Sequence, residues 1–68
     1  MPFKSKDVLR RLQRAGFEVR RQSGSHVVLR DDHGRQTYVP MHTRELPTGT
    51  FRAILKQAGL SEEEFRDL

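Results

Sequence analysis

Apolar residues recur with helical spacing over residues 6–15, where Val8, Leu12 and Ala15 fall at i, i+4 and i+7 with Leu9 beside them. This predicts a helix with Ser5 as its cap, Asp7 in the first turn and Gly16 as its stop. Lys6, Arg10, Arg11 and Arg14 fall on its other side. From Phe17 the period drops to two. Phe17, Val19 and Arg21 alternate with Glu18, Arg20 and Gln22, which predicts a strand with one apolar face. Ser23-Gly24-Ser25 reads as a turn, and His26 to Arg30 as a second strand rich in β-branched residues. Asp31-Asp32-His33-Gly34 is a second turn, because Asp and Gly suit hairpin geometry. Arg35 to Val39 then forms a third strand, stopped by Pro40.

Met41 to Pro47 reads as a loop. Helical spacing returns with Phe51, Ile54, Leu55 and Ala58, capped by Thr48 or a neighbour and closed by Gly59. Ser61 and Glu64 have the spacing of a capping box, which opens a short last helix with Phe65 and Leu68 turned inward. The expected fold is α+β, in the order α-β-β-β-α with a short C-terminal helix, and helices cover one face of a three-stranded antiparallel meander. Phe17, Val19, Val27, Leu29, Thr37 and Val39 are then the helix-facing set. Glu18, Arg20, His26, Val28, Arg30, Gln36 and Tyr38 form the open face.

Composition narrows the class. The 68 residues, read here as a single domain over 1–68, hold 17 Leu, Ile, Val and Phe, a thin but sufficient core. A domain this small has a modest stability margin, so a bound partner matters to it. With no Cys, neither disulfides nor thiolate metal sites add stability. No apolar run is long enough to cross a bilayer, and Met1 to Lys6 leads into no hydrophobic stretch of signal-peptide type. The expectation is a cytoplasmic chain with no membrane partner. The formal net charge of +4 divides unevenly: residues 1–56 carry 12 basic and 5 acidic side chains, whereas residues 57–68 carry 1 and 4. A basic body suits a polyanion such as nucleic acid, although the same charge also serves solubility.

Few chemistries have their parts. The histidines, His26, His33 and His42, show neither a helical i, i+4 pair nor an H-E-x-x-H motif, so no metal site is expected. There is no nucleophile-elbow serine and no Walker or dinucleotide glycine pattern, so no small-molecule cofactor is expected either. Proton transfer on a basic surface remains, and it suffices for RNA cleavage because the RNA supplies its own 2′-hydroxyl as nucleophile. An unperturbed imidazole titrates near pH 6.5 and serves as base or acid. Neighbouring Arg groups stabilise the transition-state charge, and Gly24 lets the backbone approach a phosphate. His33 sits in a charged turn and reads as solvated; His26, which opens a strand, and His42, which follows the third strand, are the candidates.

Four segments together carry a resemblance: Gly24-Ser25-His26-Val27-Val28-Leu29-Arg30, Gly34-Arg35, Val39-Pro40-Met41-His42, and Gly49 through Leu60. In this order and spacing, with Lys6-Asp7-Val8-Leu9 and Gly16-Phe17 ahead of them, they resemble the HicA toxins of bacterial toxin–antitoxin pairs. The resemblance implies a fold like the double-stranded RNA-binding domain and a ribosome-independent mRNA endonuclease that arrests growth. It also implies a HicB-type antitoxin bound over the active site. The family's catalytic histidine follows a Gly-Ser pair, which maps onto His26, with Gly24 and Ser25 shaping the turn. His42 matches the Val-Pro-x-His segment and is a possible second proton carrier. Ser23 departs from the Lys or Gly often found before Gly-Ser-His, so the phosphate contact falls to Arg20, Arg21 or Arg30 instead, while Tyr38, the open-face aromatic of the kind that stacks on bases, joins Gly24 and Ser25 as an RNA-binding candidate. Two other readings use the same residues: a non-catalytic RNA-binding module, and an interaction protein whose basic patch docks an acidic regulator.

Overall fold

The computed structural model describes residues 3–41 and 44–68. Its elements are α1 (Ser5–Arg14), β1 (Glu18–Ser23), β2 (His26–Arg30), β3 (Gln36–Pro40), α2 (Thr48–Ala58) and α3 (Glu62–Arg66). The strands form one antiparallel sheet in the order β1-β2-β3. The helical stripes close over one face of it. Val8 and Leu12 of α1, Val27 and Leu29 of β2, Val39 of β3, and Phe51, Ile54, Leu55 and Ala58 of α2 belong to one buried cluster with Phe17 and Phe65. Thr37, the one polar member of the helix-facing set, is fully buried with its hydroxyl 2.9 Å from Gln57 Oε1. Gly59 ends α2 in the left-handed region at φ 71°, as expected of a C-terminal glycine.

Ser5 does not cap α1. Lys4 occupies the N-cap with extended backbone and no side-chain cap, because the chain enters the helix from a β-bridge between Lys4 and Glu45. Ser5 is instead the first helical residue, fully buried, and its Oγ donates to the Pro40 carbonyl at 2.6 Å. That bond ties the start of α1 to the end of β3. The same bridge revises the expected loop over 41–47. The Leu46 amide donates to the Phe3 carbonyl at 2.8 Å, and Leu46 joins the core. At α2 the N-cap is Pro47, again without a side-chain cap, and Thr48 is the first helical residue.

The C-terminal helix is docked. Ser61 and Glu64 make the full capping box, with Glu64 N to Ser61 Oγ at 3.0 Å and Ser61 N to Glu64 Oε1 at 2.9 Å. Phe65 meets Phe3 and Phe51 at ring-centroid distances of 5.2 Å each. Arg11 lies over the Phe3 and Phe65 rings at 5.1 and 5.6 Å, within cation–π range. It also donates to the carbonyls of Phe65, Arg66 and Leu68, and Arg14 reaches Leu68 as well. Basic groups at a helix C-terminus answer its free carbonyls and the negative end of its dipole. Two of the four cations expected on the solvated side of α1 are therefore occupied with packing α3.

The β2–β3 turn has its own anchor. The nearly buried Asp31 carboxylate accepts from the amides of His33 (3.1 Å) and Arg35 (2.8 Å) and from Arg35 Nε (2.8 Å). Burial pushes this carboxyl up, but the bonds to Arg35 and His33 together outweigh it and hold Asp31 below its ordinary value of 3.8. The Ser61 bonds likewise lower Glu64 from 4.5. A carboxyl lowered in the folded state adds stability above its unfolded value and loses it as pH falls through the folded one. The melting temperature should therefore fall as pH drops below 3.8, and Asp31→Asn should flatten that decline in thermal melts run from pH 6 to pH 2.

Candidate nucleic-acid interface

Ser23 and His26 are cross-strand partners, so Gly24 and Ser25 form a two-residue hairpin loop. Gly24 has φ 60°, while Ser25 is not among the positive-φ residues, the signature of a type II′ turn. Glycine at the first central position relieves the strain a Cβ would meet there. The turn holds His26 at the first position of β2, opposite Pro40 of β3. The alternation then sets His26, Val28 and Arg30 on the face away from the helices.

Cross-strand register arranges that open face in three rows. Ser23, His26 and Pro40 form the first; Arg21, Val28 and Tyr38 form the second; Glu18, Arg30 and Gln36 form the third. The second row differs from the expected alternation. The register shifts between Val19 and Arg21 at a β-bulge: Arg21 pairs with Val28, and Arg20 is the extra residue, its guanidinium 3.6 Å from Glu18 of the open face. Strict alternation from Phe17 and Val19 would turn Arg21 toward the helices; the extra residue puts it on the open face, where a phosphate contact needs it. The same slip puts Gln22 opposite Val27, and Val19 stays 44 % exposed at the sheet edge. Val28 faces outward as expected but is only 5 % exposed and lies outside the core cluster. It forms an apolar floor beneath the longer side chains of its row.

The polar side chains of the face are partly organised. Arg30 donates through Nε and Nη2 to Gln36 Oε1 at 3.2 and 3.0 Å, and Gln36 Nε2 donates to Tyr38 Oη at 2.7 Å. Arg20 is 3.6 Å from Glu18. The exposed His26 imidazole makes no hydrogen bond or ion pair among the described residues, and neither does the exposed Arg21 guanidinium. Directly opposed residues in a sheet are about 5 Å apart and diagonal ones about 7–8 Å, within reach of long and aromatic side chains. His26 thus shares one surface with Arg20, Arg21, Arg30 and Tyr38. Arg21 is diagonal to His26, whereas Arg30 stands two rows away with its guanidinium on Gln36.

His42, the other histidine candidate, lies outside the described residues. His33 is an exposed turn residue with Nδ1 3.8 Å from Asp31 Oδ2, at the hairpin end remote from the Gly24-Ser25 turn. Among the described residues no group of three or more His, Asp or Glu is placed to hold a metal ion. Gln36 was visible in the sequence only as one polar residue of the open face. Its bridging role depends on Arg30 and Tyr38 flanking it on two strands, which alternation alone does not reveal.

A family model described as the HicA toxin of bacterial toxin–antitoxin pairs matches residues 5–60, most of the chain. The protein belongs to the HicA toxin family. No curated protein matches it in a direct sequence comparison. As a HicA toxin it is one half of a toxin–antitoxin pair, and its partner is an antitoxin. The matched segment spans every residue of the three open-face rows and ends just before α3. No helix among the described residues is long and apolar enough to cross a membrane.

Proposed function

We propose that this HicA toxin is a ribosome-independent mRNA endoribonuclease, with His26 moving the proton at the 2′-hydroxyl or at the leaving 5′-oxygen. One observation carries the reading: the type II′ turn presents an unengaged, exposed imidazole on a face that also bears Arg20, Arg21 and Arg30. RNA brings its own nucleophile, so a positioned proton carrier and cationic transition-state stabilisation suffice. No step requires a metal. The 2′-oxygen attacks the adjacent phosphorus as its proton leaves, and the P–O5′ bond breaks as the 5′-oxygen gains a proton. The products are a 2′,3′-cyclic phosphate and a free 5′-hydroxyl. His42 is a candidate for the second proton carrier.

The partner in this reading is a HicB-type antitoxin that covers the same face, and the setting is the cytoplasm, where mRNA is available. A substrate with one 2′-deoxy nucleotide at the cleavage position should resist cutting at that bond while the all-ribose strand is cut. End-labelled products on a sequencing gel would show this, and cleavage at the deoxy position would rule the mechanism out. The second reading, a non-catalytic RNA-binding module, shares the charge of this face but gives the exposed His26 imidazole no task.

A further inference from the structure

We propose that Tyr38 is the stacking platform for a nucleobase of single-stranded RNA, beside the phosphate on which His26 acts. This rests on the ribonuclease reading and adds to it how the substrate strand is oriented and why it is unpaired.

Tyr38 is 43 % exposed in the middle row of the open face, opposite Val28 and diagonal to His26 across the β2–β3 pair. Its hydroxyl is held by Gln36, whose side-chain oxygen is in turn held twice by Arg30. Gln36 lies in the third row and His26 in the first, so the phenol oxygen points away from the histidine. What Tyr38 offers next to His26 is its exposed ring rather than its hydroxyl. An exposed aromatic ring with its hydroxyl latched and an apolar floor beside it is ordered before RNA arrives, which limits the entropy lost on stacking. The arginines stand on its β2 side: Arg21 across Val28 in the same row, and Arg30 in the next row. A base on the ring therefore has cations across the β2 side of the face for its flanking phosphates.

The arrangement favours an unpaired strand. Bases inside an A-form duplex are stacked on each other and closed to a side-chain ring, whereas splayed single-stranded bases stack on aromatic residues. Stacking on an aromatic ring is tolerant of base identity, so it sets the position of the strand more than its sequence.

The protein carries one Tyr and no Trp, so its intrinsic fluorescence reports this ring alone. The test titrates the wild-type toxin with a 2′-O-methyl single strand, which binds but offers no free 2′-hydroxyl for cleavage. Two controls are the same chain with abasic sugars throughout and the corresponding duplex. The single strand should quench the fluorescence and bind about 5- to 100-fold more tightly than the abasic chain. Neither control should quench. Tyr38→Ala should lower the affinity for the single strand to that for the abasic chain, while Tyr38→Phe stays within about threefold of wild type. Equal binding of the base-bearing and abasic chains without quenching would overturn the proposal, as would equal quenching by the duplex. Either result leaves cleavage by His26 standing. Conversely, quenching by the single strand with no cutting of all-ribose RNA would remove the ribonuclease reading and keep the platform.

Discussion

Replacing His26 with alanine should abolish growth arrest and lower RNA cleavage by about 10²- to 10⁴-fold, the range that one positioned proton carrier contributes. The same substitution should leave the protein folded. His26 is exposed, its imidazole makes no hydrogen bond among the described residues, and it is absent from the core cluster. Surface changes of this kind shift stability by no more than about 0.5 kcal/mol. RNA affinity should also persist, because Arg20, Arg21 and Arg30 remain on the face. The measurement is a paired one: single-turnover cleavage, and binding of the 2′-O-methyl strand, for wild type and His26→Ala. Loss of cleavage with retained binding fits the enzyme. Unchanged toxicity in His26→Ala would show that growth arrest does not run through this imidazole, and the binding-module reading would then take its place.

The second large effect is on stability. Phe65→Ala should destabilise the protein by about 3–5 kcal/mol, the usual range for emptying a buried aromatic site. Phe65 is fully buried, meets Phe3 and Phe51 edge to face, and lies under the Arg11 guanidinium. For a domain of this size the whole folding free energy is only about 3–10 kcal/mol. The melting temperature should drop on the order of 20 °C, and the urea midpoint should fall with little change in slope. Glu63→Ala, on the exposed side of the same helix, should change stability by less than about 0.5 kcal/mol. A Phe65→Ala protein that melts within a degree or two of wild type would mean that α3 is not docked in solution. Antitoxin binding should recover part of the loss, since a ligand that binds only the folded state stabilises it.

His26 lies inside the segment that matches the HicA model, and Phe65 lies beyond it. The acidic tail helix is no loose counterweight to the basic body. Glu62 pairs with Arg52 at 3.6 Å and Arg66 at 3.4 Å, and the end of α3 occupies Arg11 and Arg14. The arginines of the sheet face are not among those that α3 engages.

Element identity was legible along the chain because local periodicity and punctuation carry it. Val8 and Leu12, Phe51 through Ala58, the alternation in β2 and β3, Gly59 as a helix stop and Ser61 with Glu64 as a cap all follow from spacing within a few residues. So did the Gly-Ser-His turn with its exposed histidine. Where an interaction joined residues distant in sequence, the pattern was silent. Ser5 has the chemistry of a cap, but the bridge from Lys4 to Glu45 and the Pro40 carbonyl drew it into the core. Arg21 fits a helix-facing position until a bulge, set by pairing with β2, turns it to the open face. Arg11 reads as a solvated cation until α3 folds back to present its carbonyls. The Arg30–Gln36–Tyr38 latch, likewise, exists only once two strands stand side by side. Near-neighbour spacing thus determined the elements and the position of the histidine. Register and docking, which depend on contacts across the fold, decided which arginines share its face.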